Sequence, residues 1–223
     1  MPRPYVTLNA AMTLDGKIAT FAKDSKISSE TDLVRLHKLR AKMDAVMVGA
    51  GTILADNPSL TVRRVRGKNP MRVVVDGKAR IPVSAKVLDR SAKTIVAALR
   101  TARKQNIDKL RTAGAEVILF KGKRVNLLSL LKKLYLRGTR KLLLEGGSTL
   151  NWNMIEQGLV DEIRVTIAPK IVGGETAKTL VGGTGFPRVK QGVGLKLFKV
   201  SKIGDDLLLV YRLAGAKRAK ESR

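Results

Sequence analysis

Leu142-Leu143-Leu144-Glu145-Gly146-Gly147-Ser148-Thr149-Leu150 is the stretch on which the fold turns. Three unalternated leucines read as a strand covered on both faces, two glycines turn the chain, and hydroxyl residues open a helix that runs to about residue 157 and stops at Gly158. The same succession recurs upstream. Apolar runs at 45–48, 71–75, 94–98 and 117–120 alternate with segments of helical spacing at 31–42, 102–113 and 127–137. In the last of these Leu127, Leu131 and Leu134 form one stripe, while Lys132, Lys133 and Arg137 face outward. This is an α/β pattern.

Beyond residue 158 the period changes. Ile163, Val165 and Ile167 alternate with Arg164 and Thr166, and apolar stretches at 195–200 and 207–211 flank a Gly204-Asp205-Asp206 turn, so the carboxyl third reads as antiparallel strands. The expected architecture is one mixed sheet flanked by helices, parallel in its middle, with antiparallel strands at the C-terminal end. No spacer or repeat divides it, so residues 1–213 are expected to form one domain and the basic residues 214–223 a flexible tail. A glycine-rich segment, from Gly173-Gly174 to Gly182-Gly183 and Gly185, is a long loop that suits either a pocket wall or a surface connection.

Composition removes several kinds of chemistry. The 223 residues contain no cysteine and one histidine, His37, so neither a thiol nucleophile nor a histidine- or cysteine-rich metal centre can be built, and no metal is expected. The longest apolar runs are too short to span a bilayer and the amino end lacks a hydrophobic signal core, so a cytoplasmic, membrane-free protein is expected. The formal charge of +26 draws polyanions and phosphorylated metabolites alike, whereas 4% aromatic content argues against a stacking platform for single-stranded nucleic acid.

In a parallel sheet, ligands sit at the carboxyl ends of the strands. Four such junctions carry unusual residues: Glu145 to Leu150; Gly49-Ala50-Gly51-Thr52 through Asp56-Asn57-Pro58 to Leu60 and Arg63; Asp76-Gly77-Lys78-Ala79-Arg80; and Lys121-Gly122-Lys123-Arg124. Glycines admit a ligand close to the backbone, and unpaired amides at a helix start favour phosphate. At the third junction an acid could hold a ribose diol, while Lys78 and Arg80 suit a 2′-phosphate, so the mixture leans toward NADP. Neither a Gly-x-Gly-x-x-Gly fingerprint nor a P-loop is present, so a nucleotide would bind in some other fold.

The strand beginning at Tyr5 runs into Thr13-Leu14-Asp15-Gly16. Together with Leu39-Arg40-Ala41, the 52–63 segment, Glu145 to Leu150, Asp161-Glu162-Ile163 and Ile167-Ala168-Pro169-Lys170, it resembles the reductases of riboflavin biosynthesis from about residue 4 to 213. The resemblance implies a dihydrofolate-reductase-like fold and NADPH-dependent reduction of a pyrimidinone ribosylamine 5′-phosphate. It further implies the stand-alone form acting on the 2,5-diamino compound, since the chain cannot supply the His-x-Glu and Cys-x-x-Cys set of a fused deaminase. By the same resemblance, Thr52, Asp56, Gly77, Lys78, Gly146, Gly147, Ser148 and Thr149 are cofactor positions, and Arg40, Leu60, Arg63 and Glu145 are substrate positions. Arg40 and Arg63 suit the 5′-phosphate through their planar forks. Glu145 is the candidate for orienting the substrate, Asp15 is a candidate proton donor or a turn former, and His37 is read as a surface or supporting residue. Lys26 departs from the aromatic that bacterial relatives can carry in a cofactor-lining loop. A homodimer is the expected assembly. A nucleic-acid-binding protein on the same fold and a dihydrofolate-reductase-like enzyme with another pterin or pyrimidine substrate are the competing readings.

Overall fold

A computed structural model describes residues 2–213, so the expected tail at 214–223 lies outside the described residues. In chain order the elements are β1 (Tyr5–Thr13), α1 (Glu30–Arg40), β2 (Ala45–Gly49), α2 (Ala50–Asp56), β3 (Met71–Val75), β4 (Thr94–Leu99), α3 (Lys104–Thr112) and β5 (Glu116–Phe120). They continue with α4 (Leu127–Leu136), β6 (Lys141–Leu144), α5 (Ser148–Glu156), β7 (Glu162–Ala168), β8 (Leu195–Ile203) and β9 (Asp206–Leu213). The chain divides into two compact units, one containing Leu33–Gly147 and the other Tyr5–Asp32 together with the described residues from Ser148 to Leu213.

In the first unit, β5-β4-β3-β2-β6 form a sheet in which every adjacent pair is parallel. Its strands are apolar on both sides because both faces are covered. Val46, Val48, Val74, Val96, Ala98 and Leu143 share one core with Leu39 of α1, Ile53 of α2, and Ile107 and Leu110 of α3. The alternate residues Met47, Val73, Ile95, Ala97 and Leu142 are also buried. α4 opens on Asn126, whose side chain accepts the Ser129 N–H at 2.8 Å, and buries Leu127, Leu130, Leu131 and Leu134. Arg72 within β3 is wholly buried, and its guanidinium bonds Thr94, the Asp89 carboxylate and carbonyls at 89 and 92, so its charge is paired where it lies.

The short helix α2 lies in the 49–63 segment, which the sequence marks only as a strand-end junction. It has seven residues, no side-chain cap at its start, and an end fixed by Asn57 in the left-handed conformation at φ +42°. Its two buried residues, Ala50 and Ile53, are a three-residue spacing too brief to read as a period.

In the second unit, the strand order is β1-β7-β9-β8. β7 pairs antiparallel with β9, and β9 with β8, as the alternation suggested. The other neighbour of β7 is β1, and that pairing is parallel, with Leu8 beside Ile163 and Met12 beside Ile167. The carboxyl third is therefore not wholly antiparallel in its contacts. Alternation fixes which side chains share a face and leaves strand direction open. A bulge at Phe198 breaks the β8–β9 register, and the Arg212 guanidinium lies 3.7 Å from the centre of its ring.

Candidate active site

At the end of β2 the chain enters α2 directly from Gly49, and the strand pairing of β2 with β6 continues past Leu144. The Glu145 N–H donates to the Met47 carbonyl at 2.9 Å, and the Gly49 N–H donates to the Gly146 carbonyl at 2.8 Å. This docks the Glu145–Gly147 turn beside the first turn of α2. Gly146 and Gly147 have φ of +78° and +32°. A Cβ on Gly147 would come within 3.1 Å of Thr52 Oγ1, so the positive φ favours glycine there and a side chain would also push on the Thr52 hydroxyl. Thr52 is half-buried beneath this turn, while Asp56 at the end of α2 is exposed.

Glu145 and Arg40 meet across 105 residues of sequence. Arg40 Nε donates to Oε1 at 2.7 Å and Nη2 to Oε2 at 2.6 Å, with the two side chains 8% and 11% exposed. Burial works against the guanidinium's charge, but the charge and hydrogen bonds of Glu145 outweigh it and hold the Arg40 pKa above its ordinary value. The same guanidinium donates through Nη1 to the Thr61 carbonyl at 3.1 Å. Its fork is thus taken up by a carboxylate and a loop backbone, rather than being open to a phosphate as the sequence had suggested. Arg63 differs from it: its side chain is exposed and bonds only Thr61 Oγ1, at 3.2 Å, among the hydrogen bonds the structure gives it.

Leu60 precedes Thr61 in the same loop; it is buried and held at φ +55°. Val62 donates its N–H to Asn69 Oδ1 at 2.8 Å. His37 lies one turn before Arg40 and is 3% exposed, not on the surface, and its Nδ1 accepts the Arg63 N–H at 2.8 Å. Burial and the neighbouring Arg40, Arg63 and Arg64, opposed by Glu145, lower its pKa to about 4.

Beyond β3, Asp76 is buried and accepts the N–H groups of Arg80 and Ile81, closing its own turn where the sequence reading had offered a ribose ligand. Gly77, Lys78 and Arg80 leave this turn into a cleft of about 630 Å³, which Arg103, Asn106 and Lys123 complete. Sequence reasoning had marked Lys123 but not Arg103 or Asn106. Both follow the carboxyl end of β4, the one junction left unread, and the same rule applied there points to them.

In the second unit, Asp15 is exposed. Its carboxylate accepts from Thr13 Oγ1 at 2.5 Å, from the Gly173 N–H at 2.8 Å and from the Val172 N–H at 3.3 Å. The Thr13 hydrogen bond, and after it the two amides, hold its pKa below the usual value against the opposing effect of desolvation, so it is an ionised acceptor at neutral pH and braces the glycine-rich loop. Ser148 is buried at the start of α5 and its carbonyl accepts the Gly182 N–H at 3.2 Å, while Thr149 is exposed. The glycine-rich loop lies against α5 so closely that a Cβ on Gly183 would overlap Trp152. Its Leu180, Val181 and Phe186 wall an apolar cleft of about 470 Å³ with Trp152, whose ring meets Phe186 edge-on at 5.0 Å. Lys26 is exposed, with its backbone N–H on Asp24 Oδ1. Among the described residues no three histidine or acidic side chains gather as a metal site, and no helix is long and apolar enough to cross a membrane.

The model of the RibD C-terminal domain matches residues 4–209. The chain belongs to the RibD C-terminal domain family. Among its relatives, a 2,5-diamino-6-ribosylamino-4(3H)-pyrimidinone 5′-phosphate reductase from Methanothermobacter thermautotrophicus is 50% identical over 96% of this chain and 100% of that protein. A protein of the same name from Aquifex aeolicus is 41% identical, over 88% of this chain and 91% of its own length. In structure, the chain superposes with a TM-score of 0.80 and 30% identity on a diaminohydroxyphosphoribosylaminopyrimidine deaminase/5-amino-6-(5-phosphoribosylamino)uracil reductase from Thermotoga maritima, covering 95% of this chain and 57% of that one. The α/β fold expected for the riboflavin reductases, dihydrofolate-reductase-like with its antiparallel strands last, is the fold of this family.

Proposed function

We propose that the chain reduces the ribosyl group of 2,5-diamino-6-ribosylamino-4(3H)-pyrimidinone 5′-phosphate to the ribitylamino product, with NADPH as reductant. Identity of 50% over the whole length of a relative bearing that reductase name supports the reaction. The observation that carries the cofactor is the cleft beyond β3, where Lys78, Arg80, Arg103 and Lys123 concentrate positive charge as a 2′-phosphate requires. The Gly146-Gly147 turn above Thr52 fits the close approach of a diphosphate, because a side chain there would fill the space. In this reading Thr52, Gly146 and Gly147 hold the diphosphate side, Gly77 and Lys78 hold the adenosine side, and Asp56 contributes from the end of α2; Ser148 and Thr149 are cofactor positions by the resemblance alone.

When bound, the dinucleotide supplies a hydride from C4 of its nicotinamide. The chain's own residues provide placement. Arg63 takes the substrate 5′-phosphate through the donors it leaves open, whereas the Leu60 side chain, expected at the substrate, is spent in the core and anchors the loop that carries Arg63. Glu145, fixed in orientation by Arg40, faces the sugar or the pyrimidine. Asp15, ionised and bonded to two amides, is unsuited to donating a proton, which leaves water as the simplest source.

Residues 1–213 constitute the reductase in this proposal, which works in the cytoplasm as a homodimer. The outermost strand of the second unit supports the dimer: Leu195, Leu197, Phe198 and Val200 of β8 are each about half exposed, more apolar surface than one strand ordinarily leaves to water. Sedimentation at micromolar concentration is expected to give twice the chain mass.

Purified protein offered NADPH or NADH with the diamino substrate, its deaminated counterpart or dihydrofolate tests the reaction. Oxidation of NADPH is expected with the diamino compound foremost and to be negligible with dihydrofolate. Turnover of dihydrofolate alone, or nucleic-acid binding without NADPH binding, contradicts the proposal.

A further inference from the structure

Three consecutive residues of the Arg63 loop are each held at the backbone by a side chain from elsewhere. Arg40 donates to the carbonyl of Thr61 at 3.1 Å, Asn69 Oδ1 accepts from the N–H of Val62 at 2.8 Å, and His37 Nδ1 accepts from the N–H of Arg63 at 2.8 Å. The Arg64 N–H approaches the same imidazole nitrogen at 3.5 Å. Two of the three holds come from the last turns of α1, where His37 and Arg40 stand three residues apart and so face the same side. An imidazole nitrogen that accepts carries no proton, so His37 is the neutral tautomer protonated on Nε2. Arg40, Arg63 and Arg64 act on it with their charges, and Glu145, the acid that opposes them, is already bonded to Arg40. A ring in that company, 3% exposed, stays neutral through the physiological range.

We infer that His37 is a positioning residue for the substrate phosphate: by accepting the Arg63 N–H it fixes where the exposed Arg63 guanidinium stands, without touching the substrate. This rests on the reading of Arg63 as the phosphate ligand. His37 is the sole histidine, and its lone acceptor nitrogen reaches a backbone position that an asparagine Oδ1 can also reach and a leucine cannot satisfy.

The test compares His37→Leu, His37→Asn, Arg63→Ala and the double variant His37→Leu/Arg63→Ala by steady-state kinetics with the diamino 5′-phosphate substrate. His37→Leu is expected to raise KM about tenfold with kcat within about twofold, and His37→Asn to restore KM to within about threefold of wild type. The double variant is expected to be no worse than Arg63→Ala, as for two residues acting in series. An unchanged KM in His37→Leu while Arg63→Ala raises it, or fully additive effects, overturns the inference. An unchanged KM in Arg63→Ala instead refutes the phosphate reading, and slowed hydrogen exchange at the Arg63 amide that is lost in His37→Leu then still demonstrates the hold. Should His37→Leu not fold, the single imidazole signal in wild-type NMR decides: a neutral ring with Nδ1 unprotonated from pH 5.5 to 8 supports the inference, and titration within that range overturns it.

Discussion

Two loops in this chain are fastened by side chains, and they are fastened differently. The Thr61–Arg63 loop of the first unit is held by Arg40 and His37, both buried, with Glu145 locking Arg40 in turn. The Val172–Gly173 segment of the second unit is held by Asp15, which is exposed. In a buried cluster each polar group depends on the others for its partners, so losing one leaves the rest unpaired where water cannot replace it. At an exposed hold, water takes the vacated place. The first arrangement suits a loop that must present a cation in one position; the second suits a loop that need only stay close.

The largest expected effect tests that dependence at its centre. Glu145→Ala leaves the Arg40 charge buried without its carboxylate and is expected to lower unfolding free energy by about 3–5 kcal/mol in urea titrations, whereas Arg40→Leu/Glu145→Leu is expected to recover most of it. Equal losses in the single and double variants would show that the pair's charge is not what matters. Next comes pH. Below its unfolded pKa near 6.5 His37 takes a proton in the unfolded chain but not in the folded one until about pH 4, so the unfolded state binds more protons across that window. Stability is therefore expected to fall as pH drops from about 6.5 toward 4, and His37→Asn is expected to flatten that part of the curve.

A smaller effect is expected at the glycine turn. Gly147→Ala places a Cβ at positive φ beside the Thr52 hydroxyl and is expected to cost roughly 1–2 kcal/mol, with KM for NADPH raised. In the basic cleft, Lys78→Ala/Arg80→Ala is expected to raise KM for NADPH about tenfold, the worth of one charge-assisted contact, and to leave KM for NADH unchanged. The smallest is Asp15→Asn, for which the melting temperature at pH 7 and the acid limb of the kcat profile are both expected to stay at their wild-type values. Loss of that limb would return Asp15 to the role of proton donor.

The residues that were legible in sequence are those whose signal is local. The strand at 71–75 is bounded as expected, and the leucine stripe of α4 falls on its buried side, because covered strands and amphipathic helices write their environment into consecutive residues. The junction at Glu145–Gly147 stood out for the same reason. The bond between Glu145 and Arg40 did not, since which carboxylate meets which guanidinium across 105 residues depends on how β6 and the end of α1 are brought together. Of the two readings open for His37, the supporting one fits and the surface one does not, because a histidine on a helix full of charges carries no mark of burial; its acceptor role depends on a backbone N–H from another loop. Asp15 kept the turn that Asp-Gly announced, but its two amide partners lie more than 150 residues away.

The most direct test of the central claim compares kcat/KM with NADPH for the 5′-phosphate substrate and for its dephosphorylated counterpart, in wild type and in Arg63→Ala. Wild type is expected to favour the phosphate by about 10–100-fold, as a charge-assisted contact of roughly 1.5–3 kcal/mol implies, and Arg63→Ala to lose most of that preference. A preference that survives in Arg63→Ala would contradict the account.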